Sequence, residues 1–350
     1  MTRVYLRPTA FVDTPVGFDG QVARLAGGMA FFSAYEVISV DGCKRVSSTL
    51  VPVDRMDDHP AMARITAPRA PLVLGARTIR LDQPQVMGIL NMTPDSFSDG
   101  GKHGNDVEAA AAVGFAMESA GAAIIDVGGE STRPGAKPVW EGDEIKRTQP
   151  VIERLARGGA TVSIDSRKAS VMEAALSAGA VIVNDVSAQC FDAQALALMA
   201  RSPCPVAIMH SPDAAKTLHE GPVASDPLIE TYDWLEARID SLADAGIDRA
   251  RIIVDPGIGF GKSVAANLAI LNGLALFHGL GCPILLGASR KRFIGALSNE
   301  APVEARLGGS IAVAMKAAEQ GAQIIRVHDV PETVQALRVW RGLRDQGLSG

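Results

Sequence analysis

Between Val86 and Val327 the chain repeats one pattern: a run of three to five apolar residues, a polar or glycine-rich break, then a longer stretch with one apolar face. Short apolar runs closed by turn residues predict buried strands, and the longer stretches predict amphipathic helices. The predicted strands are Val86–Leu90, Ala123–Val127, Thr161–Ile164, Val181–Val183, Val206–Met209, Arg251–Val254, Pro283–Leu286 and Gln323–Val327. Asn105 with Glu108 reads as a capping pair, Pro227 and Pro331 suit a first helical turn, and Gly121, Gly246 and Gly321 stand where helices should end. Strand and helix alternating throughout call for a parallel sheet with helical crossovers. Eight strands is the number of an α/β (β/α)₈ barrel. An open doubly wound sheet shares the repeat, but a polar group at nearly every strand end favours the barrel.

Ahead of this repeat, Leu72–Asp82 predicts a hairpin about Gly75 and Ala76. Residues 1–70 hold a strand-like Met29–Val40, scattered turn signals and an Arg/Asp/Pro-rich stretch. They predict a small α/β appendage with a linker near Thr66–Pro71, leaving residues 71–345 as the barrel domain.

A chain of 350 residues has room for one large α/β domain and a small one. Its net charge of −5 contains no block of like charge, which argues against nucleic-acid or membrane partners, so any anionic ligand must meet local basic clusters. Cys43, Cys190, Cys204 and Cys282 form neither a CxxC pair nor a zinc spacing, which suits a reduced, cytoplasmic setting. Neither a signal-peptide h-region nor an 18-residue apolar run is present.

The chemistry collects at the strand ends, where a (β/α)₈ barrel builds its site. Those ends hold Asn91, Asp126 with Gly128–Arg133, Asp165, Asn184–Asp185, Met209–His210, Asp255, Ser289–Lys291 and Arg326–His328. Any one of them could be a helix cap, and Asp185 reads as orienting its neighbour Asn184. Acid, amide and cation at almost every position exceed what a scaffold needs. The glycine loop after Asp255 is not a Walker A loop, because Pro256 occupies its first glycine position. A dinucleotide fingerprint fails at Lys262, which stands where glycine is required.

Five blocks, MGILNMTPDSFSDGG (Met87–Gly101), GGESTRPG (Gly128–Gly135), DPGIGFGK (Asp255–Lys262), GASRKRFIG (Gly287–Gly295) and RVHD (Arg326–Asp329), together resemble the dihydropteroate synthases in order and spacing. The resemblance runs from about Pro71 to Leu343. It implies condensation of 6-hydroxymethyl-7,8-dihydropterin diphosphate with p-aminobenzoate, releasing diphosphate. It also implies a TIM barrel plugged below by the hairpin, Mg²⁺ as cofactor, a homodimer through Val303–Glu319 and Pro331–Arg341, and sulfonamide sensitivity.

Matched residue by residue, the resemblance implies a pterin site of Asp165, Asn184, Met209, Asp255, Gly261, Lys262 and Lys291. Carboxylates and an amide suit the ring's dense edge of donors and acceptors. Diphosphate falls to Asn91, Thr132, Arg133, Arg326 and His328, with Asn91 also the Mg²⁺ ligand. Phe97, Pro134 and Ser289 would hold p-aminobenzoate, Ser289 being aided by a helix opened at Arg290. The catalytic group is Asp99, Arg133, Lys291, Arg326 and His328, with Asp99 and Arg133 pairing across two loops as a lid. Ser166-Arg167, Ala188 and Ala266 depart from the family pattern and bear on loop shape only. A pterin-binding methyltransferase and a silent pterin-binding paralogue are the alternatives. The first would not need SFSDGG or STRPG, and the second would be expected to have lost a loop residue.

Overall fold

The computed structural model describes residues 2–42, 44–93, 107–221 and 224–349. The N-terminal strands β1 (Thr2–Val12), β2 (Ala23–Arg24), β3 (Phe31–Asp41) and β4 (Lys44–Pro52) form an antiparallel sheet, followed by α1 (Pro60–Thr66). A hairpin of β5 (Leu72–Leu74) and β6 (Arg77–Ile79) comes next, turning at Gly75 with φ +60°. The repeat then runs β7 (Gln85–Asn91), α2 (Val107–Ala120), β8 (Ile124–Gly128), α3 (Glu141–Arg157), β9 (Val162–Asp165), α4 (Ala169–Ser177), β10 (Ile182–Asp185) and α5 (Ala193–Arg201). It continues β11 (Val206–Met209), α6 (Pro227–Asp244), β12 (Ile252–Asp255), α7 (Val264–Asn272), β13 (Leu285–Leu286), α8 (Arg292–Leu297), α9 (Leu307–Glu319), β14 (Ile324–Val327) and α10 (Val330–Ser349).

All eight strands from β7 are parallel, in the order β12-β11-β10-β9-β8-β7-β14-β13, and the ring closes where Val254 bridges Ile284. The predicted strands stand within one or two residues of these bounds. Gly121, Gly246 and Gly321 end their helices with φ of +116°, +92° and +80°, and Pro227 opens α6. The Asn105 half of the predicted capping pair lies outside the described residues, and Glu108 instead pairs with Arg154 at 3.1 Å.

Side chains alternate across a strand, so one parity of each barrel strand points inward. At the lower end the inward residues are Met87, Ile124, Ile182, Ala207, Ile253, Leu285 and Ile324, and they pack with Leu72, Leu74, Ile79 and Leu81 of the hairpin segment. The plug is therefore apolar. Keeping the same parity toward the strand ends gives Asn91, Asp126, Asp165, Asn184, Met209, Asp255, Arg326 and His328. The opposite parity, including Val127, Ile164, Val183, Ile208, Val254 and Val327, packs against the helices.

Among the described residues the N-terminal segment is more β-rich than expected: four strands and one seven-residue α-helix. Nor is it loosely tethered. Tyr5, Ile38 and Val40 join the same buried cluster as Tyr232, Phe277 and Leu280 of the barrel, and the Tyr5 hydroxyl donates to Asp233 at 2.8 Å. Arg69, in the predicted linker, is buried and donates to the carbonyls of Arg64, Ala67 and His278 at 2.9, 3.0 and 3.1 Å. Arg45 on β4 forks onto Asp226, the residue whose side chain caps α6. No helix among the described residues is long and apolar enough to cross a membrane.

Candidate active site

Four strands deliver the centre of the site. Asp126, midway along β8, is fully buried, and its Oδ2 accepts from Asn184 Nδ2 at 2.9 Å and from Arg326 Nε at 2.6 Å. The second arm of the Arg326 fork donates to Asp165 Oδ2 at 2.7 Å. Asp126 Oδ1 has no partner among the described residues, an acceptor held ready inside the barrel. Burial pushes the Asp165 carboxyl up, with the Arg326 charge opposing it. Mutual pairing is what makes two buried carboxylates and a guanidinium tolerable here.

Asp255 lies beside this network. Its Oδ1 accepts from the Gly257 amide at 2.7 Å, and burial pushes its carboxyl up to about 6. Between Asp255 and Arg326 stands Gly287, where an added Cβ would lie 3.6 Å from Asp255 Oδ2 and 3.9 Å from Arg326 Cδ. The Lys291 side chain makes no hydrogen bond to a described residue. Its ammonium lies 4.1 Å from the centre of the Phe260 ring, and burial together with the Arg326 charge lowers it to about 8.

Arg326 and His328 share a parity, but their chemistry differs. Burial and the charges of Arg326 and Arg290 lower His328 to about 4, so the imidazole is neutral. Its backbone amide donates to Ser289 Oγ at 3.3 Å, and its Nδ1 lies 3.1 Å from that oxygen, the donor in that second contact depending on the imidazole tautomer. Helix α8 starts at Arg292 with Lys291 as its N-cap, two residues later than expected, and spans six residues.

Lys262 points into its own loop, donating to the Gly257, His210 and Phe260 carbonyls at 2.8, 3.3 and 3.3 Å, and burial lowers it to about 7. The loop needs its glycines: a Cβ at Gly257, φ +69°, would sit 1.9 Å from the His210 carbonyl oxygen. At Gly261, φ +59°, it would meet Pro212 at 2.6 Å. Asp185 does not touch the Asn184 side chain. It faces the helix layer and accepts from the amides and side chains of Ser187 and Gln189, holding the turn where Ala188 and Gln189 take positive φ. Met209 closes a small apolar cluster with Val186, Leu218 and Phe260.

Phe97 and Asp99 lie outside the described residues, and with them the Asp99–Arg133 pair. Thr132, Arg133 and Pro134 sit on the loop after β8, with Arg133 and Pro134 exposed. That loop is anchored at Glu130, which takes Arg167 at 2.7 Å and also pairs with Lys168. Lys168 reaches Glu144 at 2.6 Å as well. Sequence reasoning passed over Glu130, although it lies inside GGESTRPG. It also missed Asn267, whose Oδ1 accepts from the Gly259 amide at 2.7 Å and which carries no motif signal. Sequence reasoning places Asp126 at a strand end without a role, and its inward parity is the usable clue.

The described residues hold no group of three His, Cys, Asp or Glu that could bind a metal. Asn91 fits a lighter role. Its side chain makes no hydrogen bond to a described residue, and a Cβ at Gly128 would lie 3.7 Å from its Oδ1. One amide oxygen suits a hard cation that keeps most of its water and shares phosphate ligands.

A family of pterin binding enzymes matches residues 87–328. The Escherichia coli (strain K12) dihydropteroate synthase is 45% identical over 263 residues, covering 75% of this chain and 92% of that protein. The Xanthomonas albilineans dihydropteroate synthase solved with 4-aminobenzoic acid superposes with TM-score 0.74 at 45% identity, covering 79% of this chain and 98% of that one. The same organism's enzyme in complex with 7,8-dihydropteroate gives TM-score 0.71 at 43% identity, covering 78% and 98%.

Proposed function

Because the chain belongs to the dihydropteroate synthase family of pterin-binding transferases, we propose that it joins the methylene of dihydropterin diphosphate to the amine of p-aminobenzoate, in a largely dissociative reaction. The observation that carries this reading is the inward-facing layer in which Asp126, Asp165, Asn184 and Arg326 share one buried network beside Asp255 and Lys291.

Asp255, Asn184 and Asp165 then take the donors of the pterin edge, which an ionised carboxylate accepts in pairs. Lys291 and Met209 lie against the ring. Arg326 directs charge toward the leaving group, and neutral His328 offers it a hydrogen bond through Nε2–H. Thr132 and Arg133 approach it from the loop after β8. Asn91 is the residue that would hold Mg²⁺, whose chemistry there is to neutralise the diphosphate as negative charge develops on it. The C–O bond breaks with its electron pair going to diphosphate, the amine nitrogen bonds the methylene carbon, and the amine proton leaves to solvent. A cationic methylene asks little of a general base, and what matters is exclusion of water until the amine is in place.

Ser289 and Pro134, with Phe97 from outside the described residues, are assigned to p-aminobenzoate. A sulfonamide copying that shape is expected to compete with it, more tightly when diphosphate is bound. Exposed Leu297, Val303, Leu307, Val339 and Leu343 on and around α8 to α10 support a homodimer, for which light scattering should report twice the chain mass.

The deciding experiment is a coupled assay of diphosphate release with dihydropterin diphosphate, p-aminobenzoate and Mg²⁺. Release that requires the amine supports the reading. Pterin binding without release would leave a silent paralogue.

A further inference from the structure

His219 lies on the loop after β11, and no part of the reaction described above uses it. Its Nε2 is 2.8 Å from the carbonyl oxygen of Thr132, on the loop after β8. A carbonyl can only accept, so Nε2 carries the proton and donates. The imidazole also stacks on Phe260, with ring centres 5.2 Å apart and planes 9° from parallel. Phe260 is the ring over which the Lys291 ammonium lies at 4.1 Å. One side chain thus touches the diphosphate loop at Thr132 and the wall of the pterin site at Phe260.

The placement of His219 is built. Leu218 before it is buried with φ +65°, and the turn is held by Asp213, which accepts from the Thr217 amide and hydroxyl at 3.0 Å each. Gly261 has no side chain to displace it, since an added Cβ would stand 2.8 Å from the His219 carbonyl. A second tie runs between the same loops, from the Lys216 carbonyl through Arg167 at 3.0 Å to Glu130. Removing the imidazole therefore leaves the loop after β11 anchored.

We propose that His219 is a positioning residue that sets Thr132 and Arg133 at a fixed distance from Phe260 and Lys291, so that the diphosphate and p-aminobenzoate subsites form around bound pterin. The proposal rests on the dihydropteroate synthase reading of the site. It makes a specific demand on chemistry: a donor at the Nε2 position, with a flat group behind it. Gln supplies an N–H donor and a planar amide, Phe supplies the ring without the donor, and Ala supplies neither.

The test compares wild type, His219→Gln, His219→Phe and His219→Ala in steady-state turnover and in calorimetric binding of pterin and of Mg²⁺-diphosphate. His219→Ala is expected to raise the KM for p-aminobenzoate and weaken diphosphate about tenfold each, the scale of one well-placed hydrogen bond with its packing. Pterin affinity should stay within about twofold, because the edge readers are untouched. His219→Gln should return to within about threefold of wild type, while His219→Phe should keep the weakened diphosphate binding, for want of the donor. Equal damage from Gln and Ala, parallel loss of pterin affinity, or an alanine variant indistinguishable from wild type would each overturn the proposal. Wild-type protein that released no diphosphate would instead overturn the functional reading beneath it.

Discussion

The two ends of the barrel are made from the same strands and have opposite chemistry. At the lower end Met87, Ile124, Ile182, Ile253 and Ile324 point inward and meet the leucines of the hairpin segment. Two residues further along β8, β10, β12 and β14, about 7 Å away, the same inward parity carries Asp126, Asn184, Asp255 and Arg326. The lower end gains by excluding water from apolar surface, so its contribution is to stability. The upper end spends part of that stability on buried charge, tolerable because Arg326 lies between Asp126 and Asp165. Damage at the two ends should therefore separate into lost stability and lost binding.

The largest effect should come from Arg326→Met. It leaves two buried carboxylates without their cation and, on the proposed reading, removes charge from the leaving group. Turnover should fall by about a thousandfold, and stability in urea should drop by about 3 kcal/mol or more. A variant that kept wild-type kcat/KM would show that the guanidinium is structural. At the opposite end, Leu74→Ala is expected to cost about 2–3 kcal/mol of stability while leaving both KM values unchanged. Urea melts and steady-state kinetics on the same preparation read both quantities, and altered KM values would mean that the plug and the mouth are coupled.

Smaller, and specific to the mouth, is the pH profile. On the proposed reading Asp255 accepts the pterin donors only when ionised, and its carboxyl is raised to about 6, so kcat/KM should fall as pH drops through that value. On the same reading Lys291 acts as a cation, and it is lowered to about 8, so activity should also decline as pH rises through that value. Lys291→Arg should abolish the alkaline limb, because guanidinium does not titrate there. A profile flat from pH 5 to 9 would contradict both assignments.

The strand count and the mouth were legible because barrel strands alternate with helices and place polar residues at a fixed position, their ends. Parity also carried information that the strand bounds alone did not: Asp126 and Arg326 can be put inside the barrel by counting in twos from Ile124 and Ile324. What stayed hidden was contact between loops. Nothing local says that Arg167 will span Glu130 and Lys216, or that Lys262 will turn back onto the carbonyls of Gly257 and Phe260 in its own loop. Those choices are settled by tertiary neighbours. The N-terminal sheet was obscure for another reason. Ile38 and Val40 lie in the strand-like Met29–Val40 and Tyr5 in no predicted element, and only the barrel face they meet shows why they are apolar. Arg69 looked like linker composition, and its three carbonyl acceptors lie in α1, just after it and in the barrel.

Calorimetric titration of Asn91→Ala and Asp255→Ala with pterin, and separately with Mg²⁺-diphosphate, tests the division of the mouth most directly. Asn91→Ala should weaken the Mg²⁺-dependent binding of diphosphate and spare pterin. Asp255→Ala should abolish pterin binding and spare diphosphate, because in the proposed reading one residue serves the leaving group and the other reads the ring edge. Equal loss of both ligands in both variants would contradict the account.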